Sequence, residues 1–189
     1  MAFEHPFYFL RHGETTWNAI GKTQGQLDAP LSDLGRRQAA NAAAIMAREQ
    51  VTRIVSSPLS RARHTAEAVA ETTGAEISFD PELMEFHAGE LQGKPRGENV
   101  SEYFEKRWDP PGGETFAVFA ARAWAALARA ASEPGVLIVC HGGLWRAAQE
   151  FVAVAPRLWP MPNALPIHVS PDAKSWTARV LGAAMDAGK

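Results

Sequence analysis

An α/β fold, layered α/β/α around a mostly parallel, doubly wound sheet, is the architecture that this sequence predicts. Short apolar runs alternate with stretches of helical periodicity along the chain. The strongest run, Val136 to Cys140 (VLIVC), is apolar throughout, as strands buried on both faces of a parallel sheet are. Three of the runs break off into turn residues, at Arg11-His12-Gly13, Ser57-Pro58 and His141-Gly142. In open α/β sheets, ligands bind beyond such strand ends.

Phe7 to Leu10 is the first strand, and it leads into the loop that begins RHGE. Ser32 suits the N-cap of a helix whose apolar face runs through Leu34, Ala39, Ala42, Ile45 and Met46. Arg53 to Ser56 forms a second strand, and past the Ser57-Pro58 turn a helix carries Arg61, Thr65, Ala66 and Val69. Ile77 to Phe79 is a third strand. Gly112-Gly113 closes an irregular segment, and from Glu114 a long helix turns Phe116, Ala120, Ala123, Trp124 and Leu127 inward. Val136 to Cys140 then ends in His141-Gly142-Gly143, where a helix begins at once. Ile167 to Val169 and Trp176 to Leu181 supply two more strands. No internal repeat interrupts the pattern, and one domain over residues 1–189 accounts for it.

Composition narrows the classes of function. A chain of 189 residues that is 46% hydrophobic buries a core without disulfides or metals. The single cysteine, Cys140, suits a reducing compartment. The N-terminal stretch lacks a basic region, and no apolar run reaches membrane-spanning length, so a cytoplasmic location and no membrane partner are expected. A net charge of −2 argues against nucleic acid as an obligatory partner.

The strand-end loops bring two histidines and two arginines to one edge of the sheet. That set matches the needs of a phosphomonoester: forked donors for its dianionic head, a nucleophile opposite the leaving oxygen, and an acid to protonate that oxygen. Arg11 and Arg61 are the natural clamp. His12 is a candidate nucleophile, because an imidazole near its ordinary pKa is largely neutral at neutral pH. Gly13 and Gly142 let the main chain approach and donate. Glu14 and Glu85 are both candidates for the acid on spacing alone.

Four segments in order, RHGETTWN (11–18), QGQLDAPLSDLGRRQA (24–39), SSPLSRARHTAE (56–67) and CHGG (140–143), closely resemble the histidine phosphatase superfamily, the group related to cofactor-dependent phosphoglycerate mutase. The resemblance implies a phosphoglycerate mutase-like fold and a phosphohistidine at His12. It also implies a pocket completed by Arg11, Arg61 and His141, with His141 stabilising the transferring group. The segment LMEFHAGELQG (83–93) resembles the family's acid-bearing loop, which makes Glu85 the proton donor and leaves Glu14 supporting the RHGE loop. Met84 stands where family members often carry arginine. Asn18 would assist phosphate binding, Gln24 and Gly25 would line the entrance, Gly142 would donate to the phosphate, and Asn163 would lie close to the pocket.

The expected activity is therefore hydrolysis of a small phosphorylated metabolite without metal or cofactor. A mutase is the first rival, but the segment from Lys94 to Trp108 is shorter than the mutases' basic insertion. A non-catalytic phosphate-binding module has no need of a nucleophile. A metal hydrolase built from His12, His87, His141 and Glu85 would set two arginines beside its metal, and zinc-type ligand spacings are absent. His64 and His87 are expected to be peripheral, and Cys140 to be a buried, inert thiol. The tryptophans and the proline-rich stretch around Pro156, Pro160, Pro162 and Pro166 read as packing and loop. Oligomeric state is open, with a homodimer among the options.

Overall fold

The computed structural model describes residues 3–106, 108–172 and 175–182. Among the described residues, seven strands form one sheet: β1 (Phe7–Arg11), β2 (Arg53–Ser56), β3 (Ile77–Phe79), β4 (Val136–Cys140), β5 (Ala153–Ala155), β6 (Ile167–Pro171) and β7 (Ser175–Val180). Their spatial order is β3-β2-β4-β1-β6-β7-β5. The first four are mutually parallel; β6 runs antiparallel to both β1 and β7, and β5 joins β7 in parallel. The sheet is mostly parallel, as the apolar runs predict.

Alternation along β1 divides the core into two layers. Tyr8 and Leu10 face α2 (Asp33–Met46) and α3 (Ser60–Thr73) through Ala42, Met46, Ala62, Ala66 and Val69. Phe7 and Phe9 face the opposite layer, where α5 (Phe116–Ala130) and α6 (Gly142–Ala148) contribute Phe119, Ala123, Leu127 and Trp145. β4 is buried at every position, which is why its five residues are uniformly apolar.

Several expectations shift in detail. Leu34, assigned to the inward face of α2, is 44% exposed, because α2 turns Gly35, Ala39 and Ala42 toward the sheet instead. The long helix begins at Phe116, with Thr115 as its side-chain cap, so Glu114 stands outside it. Three elements carry little periodic signal: α1 (Thr16–Ala19), α4 (Glu98–Phe104) and the edge strand β5. Among the described residues, no helix is long and apolar enough to cross a membrane.

Candidate active site

Strand register brings the site together. Arg11 pairs with Cys140, and Ser56 with Val139, so the carboxyl ends of β1, β2 and β4 lie side by side. The pairing continues one residue further, with His12 N donating to the Cys140 carbonyl and Ser57 N to that of Val139, both at 3.0 Å. His12, Ser57 and His141 thus leave three adjacent strands at one level. The two imidazoles stand 5.2 Å apart between centroids, and His141 Nε2 lies 2.8 Å from Ser57 Oγ.

The loop after β1 is held by backbone contact that only glycine permits. A Cβ on Gly13 would sit 2.5 Å from the Gly35 carbonyl oxygen, and one on Gly35 would sit 1.9 Å from that of Glu14. Gly13 N donates to Thr65 Oγ1 on α3, and Asn163 Nδ2 donates to the His12 carbonyl at 2.9 Å. Asn163 therefore anchors the loop's main chain. Asn18 closes a capping box with Thr15 at the start of α1, its Oδ1 accepting from Thr15 N. Neither asparagine is part of the cavity wall.

His12 is almost fully buried, and its Nδ1 lies 2.7 Å from the Gly13 carbonyl. A carbonyl only accepts, so this contact assigns the ring proton to Nδ1 and leaves a lone pair on Nε2. Burial, reinforced by the charges of Arg61 and Arg11, holds His12 well below the ordinary histidine pKa. Burial and then Arg61 do the same to His141. Both rings are neutral at neutral pH.

This has a consequence for stability. The folded chain refuses protons that the unfolded chain accepts below about pH 6.5, so acid favours unfolding. The pair sets a limiting slope of two protons, about 2.7 kcal/mol per pH unit, and His168, shifted the same way by partial burial, adds to it. Urea midpoints should fall steeply from pH 7 to pH 5.5, and His141→Asn should remove a large part of that fall. Equal slopes in the two proteins would mean that His141 is not held neutral.

Arg11 and Arg61 face the histidines. Arg61 is 1% exposed, and its Nη1 and Nη2 donate to the carbonyls of Leu27 and Gly25. Arg11 Nη1 donates to the Met161 carbonyl. Nε of each guanidinium has no hydrogen-bond partner among the described residues. Burial lowers each guanidinium to about 10, opposed in both by the nearby Glu85, so both stay charged at neutral pH. A buried and a half-buried cation with unspent donors, beside two neutral imidazoles, make a receptor for an oxyanion.

Glu85 completes the arrangement. Its Oε2 accepts from Gly143 N at 3.1 Å, an approach that needs glycine, since a Cβ there would meet Oε1 at 2.0 Å. Glu14 points elsewhere: its carboxylate accepts from Ser32 Oγ at 2.7 Å, and it is not in the cavity wall. His12, Arg11, Arg61, Glu85, Gln24, Gly25 and Gly142 all line one cavity of about 480 Å³. His87 does not; its Nδ1 accepts from Gly89 N within its own loop.

The outer half of this cavity escapes a reading of the sequence. Its lining includes Arg96, Val100 and Phe104 from the α4 region and Arg157, Trp159 and Met161 from the stretch after β5, with the Phe104 and Trp159 rings edge to face at 5.1 Å. Trp159 and Pro160 are thus cavity wall, not the plain packing and loop that the proline-rich stretch suggests. No periodic pattern marks them.

Comparisons with known proteins agree with the fold. Residues 7–183 match the model of the histidine phosphatase superfamily (branch 1). The chain belongs to that superfamily. Among relatives of this histidine phosphatase, the glucosyl-3-phosphoglycerate phosphatase of Mycolicibacterium vanbaalenii is 40% identical over 156 residues, covering 71% of this chain and 68% of that protein. A metal-independent phosphoserine phosphatase of Arabidopsis thaliana is 38% identical over 153 residues, 73% of this chain and 64% of its own length. A probable phosphoglycerate mutase of Photorhabdus laumondii is 37% identical over 149 residues, 71% of this chain and 68% of its own. The solved mycobacterial glucosyl-3-phosphoglycerate phosphatase in complex with VO3 superposes with a TM-score of 0.80 at 33% identity, covering 93% of this chain and 98% of that one.

Proposed function

We propose that this histidine phosphatase hydrolyses small phosphomonoesters through a phosphohistidine on His12, without a metal. The observation that carries the reading is the meeting, in one cavity, of a neutral His12 with the Arg11 and Arg61 guanidiniums and the Glu85 carboxyl. In the forward step His12 Nε2 attacks phosphorus while the Arg11 and Arg61 donors and Gly142 hold the equatorial oxygens. His141, whose Nδ1 is buried without a partner among the described residues, stabilises the transferring group. The P–O bond to the alcohol breaks as Glu85 passes its proton to the leaving oxygen. Water then takes the phosphoryl group from His12, giving up a proton to the Glu85 carboxylate.

Charge neutralisation by arginine leaves no part for a divalent cation. Among the described residues, no cluster of three or more His, Cys, Asp or Glu side chains is placed to hold one. Turnover should survive a chelator, and loss on chelation with recovery on adding zinc or magnesium would overturn this point. The outer cavity offers Arg96 and Arg157, neither with an ion-pair partner among the described residues, beside an apolar wall of Phe104, Trp159 and Met161. These groups favour an alcohol half that carries a negative charge of its own. A panel of phosphomonoesters assayed for phosphate release should therefore rank anionic alcohol halves above neutral ones of equal size. Transfer that depends on a bisphosphorylated primer, with little phosphate released, would identify a mutase instead.

A further inference from the structure

Glu85 sits on irregular backbone between two short turns, with no ladder or helix of its own to hold it. Its carbonyl and its neighbours' must find partners elsewhere. The carbonyls of Glu82, Met84 and Glu85 all meet Arg122 of α5, and that of Glu85 also accepts from Gln26 Nε2 at 3.1 Å. Arg122 Nη1 donates to the carbonyls of Glu82, at 2.6 Å, and Met84, at 2.9 Å, while Nη2 reaches the carbonyl of Glu85 at 3.4 Å. Nε and Nη2 also form a forked pair with the Glu114 carboxylate, both bonds 2.8 Å. All five N–H donors of the guanidinium are thereby engaged.

Glu114 holds the other flank of the same loop. Its Oε2 accepts from His87 N at 3.0 Å, and its own N donates to the His87 carbonyl at 2.9 Å. Both side chains are only 14% exposed. Burial works against both charges, yet their mutual bonds keep Glu114 below the ordinary carboxylate range and Arg122 above its own. The pair is charged throughout the working pH range, so it acts as a fixed brace and not as a titrating group.

We propose that Arg122 and Glu114 are positioning residues that set the reach of the Glu85 carboxyl toward the leaving oxygen, gripping its loop from both sides. The proposal rests on Glu85 as the proton donor. Lysine cannot replace Arg122, because an ammonium presents three donors from one point and cannot bridge three carbonyls and a carboxylate in a plane. A displacement of about 1 Å at a reacting group costs up to about 10²-fold in rate. The brace should therefore matter most where protonation of the leaving group is hardest.

The test compares Arg122→Lys, Arg122→Ala and Glu114→Gln with the unaltered protein on an alkyl phosphate and on p-nitrophenyl phosphate, with Glu85→Gln setting the scale. Each rate is divided by the amount of folded protein, read from near-UV circular dichroism, which removes any loss of folded protein. We expect kcat on the alkyl ester to fall by about 10-fold or more in the Arg122 variants, less in Glu114→Gln, and much less on the aryl ester in every case. Adding Arg122→Lys to Glu85→Gln should cost little further. Equal losses on both esters, or additive losses in the double variant, would show a merely structural pair while leaving the phosphatase reading intact. No leaving-group dependence in Glu85→Gln itself would remove Glu85 as the acid, and the brace with it.

Discussion

His12→Ala should abolish turnover, with kcat falling by at least about 10⁴-fold on every phosphomonoester that the unaltered protein accepts. Losses of this size are typical when the nucleophile of a covalent mechanism is removed, because the other groups of the site act only in concert with it. The substitution also takes away an imidazole whose folded form resists protonation, so the variant should be no less stable in mild acid. Urea midpoints at pH 5.5 separate the two effects: lost activity in a protein that unfolds no earlier is a catalytic loss. Arg11 and Arg61 remain in place, and inorganic phosphate should still bind the variant. Retention of ordinary turnover by His12→Ala would rule out the covalent route.

The second large effect is expected at Glu85 and depends on the substrate. An alkyl alkoxide is a poor leaving group and must be protonated as it departs, whereas a nitrophenolate leaves unaided. Glu85→Gln keeps the size of the side chain and its contact with Gly143 N but has no proton to give. Turnover of an alkyl phosphate should fall by roughly 10²-fold or more, with a much smaller loss on p-nitrophenyl phosphate. Glu14→Gln should show no such dependence, since the Glu14 carboxylate is spent on Ser32 at the cap of α2. If the two variants exchange behaviour, Glu14 is the acid.

The inner site is legible in the sequence because it is built where apolar strands stop. Once β1, β2 and β4 are read as neighbouring parallel strands, His12, Ser57 and His141 must lie together, and Arg61 follows in the first turn of α3. The outer site is not legible in this way. Arg96, Phe104, Arg157 and Trp159 come from short or irregular segments whose backbone direction is set by tertiary contacts, not by periodicity. Asn18 carries a structural duty that its motif does not announce: its amide oxygen closes a capping box, a role that a Thr-x-x-Asn spacing allows. Arg122 and Glu114 are invisible for a further reason. Their partners are mostly main-chain groups some 30 to 40 residues away, and no side-chain pattern records where a carbonyl will be.

The central claim is that the phosphoryl group passes through His12. Brief incubation with a radiolabelled phosphomonoester, a split quench in acid and in base, and peptide mapping test it most directly. The account predicts stoichiometric label that survives base, is lost in acid and resides on the peptide containing His12, and that is absent from His12→Ala. Label that survives acid, or that maps elsewhere, would contradict it, as would steady turnover with no labelled protein at any time.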